Sequence, residues 1–515
     1  MKRVKNLFIR YYPIICILAF GAFLRLYKIS QYLTFLGDEG RDVLIVKRMI
    51  VDGKWTLLGP TASVGGFYMG PIYYYFMLPF LWLWKLDPVG PAIMVALVGI
   101  ATIFLIYKAA GEMFGKKEAY AASLLYALSP IVIAYSRASW NPNVVPFFST
   151  LLLYLCYRIA LHREWKYVFW IGIILGIGVQ LHYTFLFVFP AVFFWLLWHS
   201  EKNKYVSRFL TGVLGFIIGL SPFLAFEVRH GFSNTRGIFS FVFAGKDTGF
   251  SLMHFFINVS DVAFRLFGRL ILRFPDGPML ETLPVLLRNI WIAGVWVFAV
   301  LVVSICFTEL RKKSQSKSQK ITLQLLFLWL LNVLLFFGIY KKPIYDYYFG
   351  ILFAVPFIMT AVAFGSIQKR GLLGKSLAAI IIIFLIVLNW NGRPFKYAPN
   401  NQLGQTKTIS QAVLDKTDGK PFNFALITGG NSDQAYRYFF EIWGRPPVTI
   451  ENPAVDPARK TVTDQLLVVC EYPDCEPLGN SLWEVAGFGR AEIAGSWDVS
   501  VVKVYKLIHY TELSK

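Results

Sequence analysis

Twelve mostly apolar stretches of 16 to 23 residues punctuate this chain, and no other feature restricts its fold as strongly. They run over 12–28, 70–86, 90–108, 118–136, 143–161, 166–182, 184–199, 208–226, 286–308, 321–339, 345–367 and 372–390. A helix needs about 20 such residues to cross a bilayer. Charged residues are 16% of the 515, against about 25% in soluble domains, so most of the chain is expected in lipid.

The distribution of charge orients the spans. Six short connectors, 1–11, 108–118, 158–166, 199–208, 309–320 and 368–375, together carry +16 of the formal +21. Cations gathered in short loops between apolar spans are the positive-inside signature, not a nucleic-acid surface. The basic N-terminus then lies in the cytoplasm, and the first apolar stretch, which lacks a small-x-small cleavage site, reads as a retained span. Placing "RKKSQSKSQK" (311–320) inside leaves room for one crossing between Asp38 and Lys108, where two apolar stretches occur. The weaker, "GPIYYYFMLPFLWLWKL" (70–86), is aromatic and broken by Pro79, so we assign it to the outer interface. The expectation is an α-helical polytopic membrane protein with eleven crossings, an interfacial helix and an outer tail. The transmembrane domain is 1–390, with a first outer loop at about 29–89 and a large outer loop at about 227–285. The tail, 391–515, has 13 basic and 14 acidic residues and alternates strand-like runs, "FNFALIT", "QLLVVCEY" and "VSVVKVYKL", with a helical "SDQAYRYFFEIWG". It reads as a small extracytoplasmic α/β domain. Cys470 and Cys475 stand close enough in sequence to pair or to stay free, and no cysteine spacing resembles a zinc site.

With this topology the unusual polar clusters all open on one side. "GDEGRD" places Asp38 and Glu39 at the mouth of the first span, with Arg41 beside them. The plainer reading is a helix N-terminus, which acids complement. The catalytic reading is a general base whose pKa is lifted by apolar walls. "GGFYMGPIYYYF" (65–76) offers Tyr68, Tyr73 and Tyr74, whose rings and hydroxyls suit a sugar or a lipid headgroup. In "AYSRASWNPN" (134–143), Arg137 reads as a snorkelling cation or as a phosphate ligand, with Asn141 and Asn143 following. His182 lies between two spans with almost no loop, a depth at which polar residues usually face a cavity. Glu227 and Arg229 open the large loop, where Arg265, Arg269 and Arg273 recur at helical spacing, suited to gripping a lipid phosphate or equally to holding anionic headgroups nonspecifically. Lys341 and Lys342 read as an anchoring belt, with Tyr345 and Asp346 as candidate substrate contacts.

An acid pair, several cations and many aromatics around an outward-facing cavity fit sugar transfer from a lipid phosphate. Cations would hold the phosphate leaving group, a carboxylate would deprotonate the acceptor hydroxyl, and aromatics would bind the sugar. In chain order, "DEGRD", "YMGPIYYY", "FGKKEAYAASLLYALSPIVIAYSR", "LHYTFLFVFP" and "SPFLAFEVRHGFSN" resemble the GT-C membrane glycosyltransferases, in the group containing protein O-mannosyltransferases and lipid A aminoarabinose transferases. The resemblance covers roughly 10–390. It implies a plasma-membrane enzyme, a polyprenyl-phosphate sugar donor carrying a hexose or pentose, and a protein, lipid or glycan acceptor. It also implies inversion at the anomeric carbon, with Asp38 as base and Glu39 helping to position the acceptor or sugar. Two departures stand out. Met69-Gly70-Pro71 replaces a motif that often carries Lys or His, and Asn141 or Asn143 replaces an acid after the Ser-Arg. No cofactor is called for, and a divalent metal finds no support in the residues. The rival is a transporter or flippase of lipid-linked sugars, which would show internal repeats and mid-membrane charges; the clusters here sit at span ends.

Overall fold

A computed structural model describes residues 2–62, 66–240, 251–275, 277–472 and 474–510. Gly65 of the glycine–tyrosine stretch, and residues 241–250 and 276 of the large outer loop, lie outside the described residues. The fold is mostly helical, with one small sheet.

Six described helices are each long and apolar enough to cross a membrane: Val89–Met113, Asn141–His162, Lys202–Arg229, Val285–Arg311, Lys317–Gly338 and Gly371–Trp390. A bent pair, Asp346–Leu352 and Ala354–Gln368, meets at 60° and falls on a seventh expected span. The other expected spans are shorter or broken. Tyr11–Leu26, Tyr167–Leu181 and Tyr183–His199 are shorter apolar helices. Lys116–Leu128 stops at Ser129 and restarts as Pro130–Tyr135, because proline cannot donate to the preceding turn. The expected interfacial segment is the helix Ile72–Leu83, only 12 residues long with Pro79 inside it.

The chain divides into two compact units, and the division differs from a simple cut near residue 390. The first comprises Met1–Tyr27, Thr56–Phe76 and Ala92–Ala398; the second comprises Lys28–Trp55, Met77–Pro91 and Pro399–Lys515.

In the first unit, the closest helix pair is Tyr167–Leu181 against Tyr205–Arg229. Gly172 and Gly176 face Gly212, Gly215 and Gly219 across it. A Cβ on Gly172 would stand 2.1 Å from the Gly212 carbonyl oxygen, and one on Gly219 would stand 2.3 Å from that of Ile173. Small residues let backbones approach where lipid offers no hydrophobic drive. The pair carries His182 at the end of one helix and Glu227 near the end of the other.

In the second unit, strands β1 (Asn423–Ile427), β2 (Gln465–Cys470), β3 (Ala491–Val499) and β4 (Val502–His509) form a sheet of order β1-β2-β4-β3. β1 and β2 are parallel, and the other pairings are antiparallel. One face buries Phe424, Leu467, Val469 and Val504 with Ile409, Val413, Tyr436 and Phe440 of two helices. The other face buries Ala425, Leu466, Val468 and Leu507 with Val485 and Phe488. The expected runs match β1 and β2, and the helical run matches Gln434–Ile442. The third run, 499–507, straddles the turn between β3 and β4. β3 itself escaped the hydropathy reading because its residues alternate between exposed and half-buried. Cys470 and Cys475 form a disulfide.

Candidate active site

The acidic stretch belongs to the second unit and folds as the helix Gly37–Val51. The Leu36 amide donates to Glu39 Oε2 at 3.1 Å, so the third helical residue reaches back to cap the N-terminus. That geometry buries Glu39, and burial pushes its carboxyl up to about 7 against the Leu36 amide, which lowers it; Asp38 and Asp42 raise it further. Asp38 points the other way and is exposed, with 55% of its side chain accessible. Arg41 bridges the cluster, donating from Nη1 to Asp38 at 2.8 Å and from Nε and Nη2 to the fully buried Asp42 at 2.9 and 2.8 Å. The apolar environment expected for the base therefore surrounds Glu39, while the solvent-facing carboxylate is Asp38. Asp42 stood in the motif without an assigned role; the structure gives it the arginine.

The remaining candidates belong to the first unit, and several take structural roles there. Arg137 is buried and donates from Nη1 to the carbonyls of Leu24 and Arg25 at 2.9 and 3.0 Å, and from Nη2 to that of Tyr27 at 2.8 Å. It closes the C-terminal end of the first helix, whose last carbonyls lack intrahelical donors, so the guanidinium expected at a span end is turned onto those carbonyls. Asn141 donates to the Leu181 carbonyl at 2.6 Å and Asn143 to that of Ala138 at 2.9 Å, again as turn supports. Glu227 is fully buried and accepts the Asn234 and Thr235 amides at 3.3 and 2.8 Å and the Thr235 hydroxyl at 2.6 Å. It caps the segment Ser233–Phe239. Tyr73 and Tyr74 are fully buried, Tyr73 sharing a hydrogen bond with Ser139 at 2.9 Å, so neither lines an open sugar pocket. Tyr68 stays exposed; its amide donates to Asn234 Oδ1 at 2.9 Å, and its carbonyl accepts from the Tyr183 hydroxyl. Arg229 ends the helix Tyr205–Arg229, and its exposed side chain makes no hydrogen bond or ion pair among the described residues.

The structure brings other candidates together. His182 Nδ1 pairs with the Thr184 hydroxyl at 2.8 Å, and its ring packs on Tyr347 and Tyr348 at 5.8 and 5.0 Å between centroids. Trp140 meets Tyr347 at 4.5 Å, and the exposed Tyr345 stacks on the same ring at 5.7 Å. Between these tyrosines Asp346 is buried, and it accepts from Arg265 at 3.1 Å and Arg269 at 2.7 Å. Arg265 also donates to the Ile344 carbonyl at 2.7 Å and stands 4.7 Å over the Phe349 ring. Arg273, expected on the same helical face, lies beyond the end of the helix Leu252–Gly268 with a left-handed backbone (φ +49°). A cavity of about 490 Å³ opens beside this cluster, lined by Asn258, Asp261, Arg265, Lys341, Lys342, Pro343 and Ile344. Lys341 and Lys342 thus line a polar recess with an arginine. The four-residue spacing of Arg265 and Arg269 was visible in the sequence; their shared partner, some 80 residues on, was not.

Among the described residues no three His, Cys, Asp or Glu side chains gather as a metal site.

The comparisons with known proteins agree with this architecture. The dolichyl-phosphate-mannose-protein mannosyltransferase family matches over residues 69–226. ArnT from Cupriavidus metallidurans in the apo state superposes with a TM-score of 0.62 at 12% identity, covering 96% of this chain and 97% of that one. The same protein bound to undecaprenyl phosphate gives 0.54 at 13% identity, covering 96% and 98%. The archaeal oligosaccharyltransferase AglB from Archaeoglobus fulgidus, in complex with an inhibitory peptide and a dolichol-phosphate, gives 0.53 at 14%, covering 90% and 70%. The fold is that of the GT-C membrane glycosyltransferases. A GT-C chain is a multi-pass membrane protein, as the apolar helices here require. An uncharacterized protein of Aquifex aeolicus is 33% identical over 123 residues, 23% of this chain and 24% of that protein, so the match spans about a quarter of the relative.

Proposed function

We propose that this protein is a membrane glycosyltransferase that moves a sugar, a hexose or pentose, from a polyprenyl phosphate to an acceptor hydroxyl on a protein, lipid or glycan. The observation that carries the reading is a recess with an excess of cations: Arg265, Lys341 and Lys342 line one cavity with a single acid, Asp261, which pairs with Arg265, and Arg269 sits on the same buried Asp346 as Arg265. Guanidinium and ammonium groups together suit a phosphate, and Arg presents a bidentate fork. Support also comes from two solved GT-C proteins, one bound to undecaprenyl phosphate and the other to a dolichol-phosphate.

In the proposed reaction the acceptor hydroxyl gives its proton to Asp38 as its oxygen bonds to the anomeric carbon. The bond from that carbon to the phosphate oxygen breaks, and polyprenyl phosphate leaves with the electron pair. A single displacement inverts the anomeric carbon. Asp38 is preferred over Glu39 because its carboxylate is exposed, whereas Glu39 is buried and occupied by the Leu36 amide. Tyr345, His182 and Trp140 form the aromatic wall suited to a sugar, with Tyr68 as a further exposed ring. The proposed setting is the cell membrane, with eleven crossings, the N-terminus in the cytoplasm and the C-terminal domain outside.

The test is transfer from a panel of radiolabelled polyprenyl-phosphate sugars to acceptor-rich membrane extract, with purified wild type, Asp38→Asn and Arg265→Gln. Label moved by wild type and lost in both variants supports the reading. Label that crosses proteoliposome leaflets without becoming covalently attached would replace it with a flippase.

A further inference from the structure

Within the second unit, the acidic helix is held by residues far along the chain. The Gly37 amide, an N-terminal helix donor with no intrahelical acceptor, donates to Asn431 Oδ1 at 2.8 Å across 394 residues. The same oxygen accepts the Ser432 amide at 2.9 Å. Asn431 Nδ2 donates to Glu471 Oε1 at 3.1 Å. That carboxylate also accepts the Tyr436 hydroxyl at 3.1 Å and the Thr428 hydroxyl. Because a carboxylate only accepts, the Asn431 amide has one usable orientation, with its oxygen on Gly37 and its nitrogen on Glu471. Glu471 directly follows Cys470, and the Cys470–Cys475 disulfide closes the short loop that carries it.

The seat is also tight. A Cβ on Gly37 would lie 2.0 Å from Ser432 Oγ, and one on Gly40 would lie 2.3 Å from the Ala435 backbone. Further along the helix, Glu441 pairs with Lys47 at 3.1 Å and Arg48 at 2.8 Å. Before the helix, the Phe35 amide donates to Gln402 Oε1 at 3.1 Å.

The sheet does not need this polar chain, since its two faces are already packed with apolar side chains. What the chain holds is the helix end one residue before Asp38. We propose that Asn431 and Glu471 are positioning residues that hold the first turn of the acidic helix, and with it Asp38, in its working pose; the Cys470–Cys475 bridge steadies Glu471 behind them. The catalytic half of this proposal rests on the reading of Asp38 as the base. A misplacement of about 1 Å can cost about 100-fold in rate, so a helix end that is merely solvated would be a poor mount for a base.

The test exchanges donor and acceptor. Asn431→Asp removes the N–H and sets two carboxylates face to face. Adding Glu471→Gln restores an amide–carboxylate hydrogen bond with the roles swapped, and keeps an oxygen for Gly37. Both variants and wild type, as full chains in detergent, are compared by hydrogen exchange at the amides of 37–40. Their turnover of radiolabelled undecaprenyl-phosphate mannose is measured with kcat and KM separated. Asn431→Asp should speed exchange clearly and lower kcat by about 10- to 100-fold with KM nearly unchanged. The double variant should bring both most of the way back, which a general loss of stability would not do. Unchanged exchange in Asn431→Asp overturns the proposal. So does faster exchange with wild-type kcat while Asp38→Asn is inactive. If Asp38→Asn keeps wild-type turnover, the assignment of the base fails separately, and rescue of exchange by the swapped pair still upholds the hold on the helix.

Discussion

The two charged clusters of this protein are built in opposite proportions. The acidic helix opens with three carboxyls, Asp38, Glu39 and Asp42, and one guanidinium, that of Arg41, which pairs with Asp38 and Asp42 while Glu39 accepts the Leu36 amide. Around Asp346, two guanidiniums, Arg265 and Arg269, share one buried carboxylate, Arg265 also pairs with Asp261, and two lysines line the recess beside them, so four cations meet two carboxylates. An excess of carboxylate suits a group that must accept a proton. An excess of cation suits one that must hold an anion. In each cluster a buried acid is fixed by arginine, while another charged group, Asp38 in one and Lys341 in the other, stays at the surface.

The comparison breaks most readily at Asp38. Asp38→Asn keeps the fold and is expected to cut transfer by about 10²–10⁴, the range of a general base, read as kcat in the labelled-donor assay. Glu39→Gln preserves the cap on Leu36 less well but should leave most of that rate, and an equal loss in both would erase the distinction between them. On the cationic side, Arg269→Gln removes a charge-assisted hydrogen bond worth about 1.5–3 kcal/mol and leaves Asp346 paired to Arg265. Donor KM should rise about tenfold or more while kcat changes less. A fall confined to kcat would move Arg269 out of donor binding.

Glu39 supplies a pH test. Its carboxyl titrates near 7 in the folded chain, above the ordinary 4.5. Between those values the folded state holds the proton that the unfolded state has released. The stabilising contribution is therefore complete below about 4.5 and is lost as pH rises through about 7, at most about 1.4 kcal/mol per pH unit. The Tm of wild type should fall across that window, and Glu39→Gln should flatten the slope. The smallest expected effect is that of Tyr73→Phe. It removes the Ser139 hydrogen bond for about 1 kcal/mol, lowering Tm slightly with transfer unchanged; a loss of sugar affinity would return Tyr73 to the binding surface.

Much of this was legible in the residues. Apolar length and loop charge marked the membrane segments, since the cost of placing polar groups in lipid acts along the chain and needs no partner. The acidic cluster showed itself by composition, as did the neutral α/β tail and the four-residue spacing of Arg265 and Arg269. Partner choice is another matter, because it depends on contacts between residues distant in sequence. Arg137 and Asp346 both looked like exposed span-end charges. Tertiary packing turned one onto the carbonyls of the first helix and buried the other between two arginines. Tyr68, Tyr73 and Tyr74 share a motif, yet one ring is exposed and two are buried, because Tyr68 lies in a bridged segment before the helix Ile72–Leu83 that packs the other two inside. The grip of Asn431 on Gly37 spans 394 residues and left no local signature at all. The sequence by itself determined which segments are apolar enough to cross a membrane and which residue types stand at their ends. Only the folded chain decided which of those charges neutralise one another and which stay at the surface, because that depends on contacts between residues far apart in sequence.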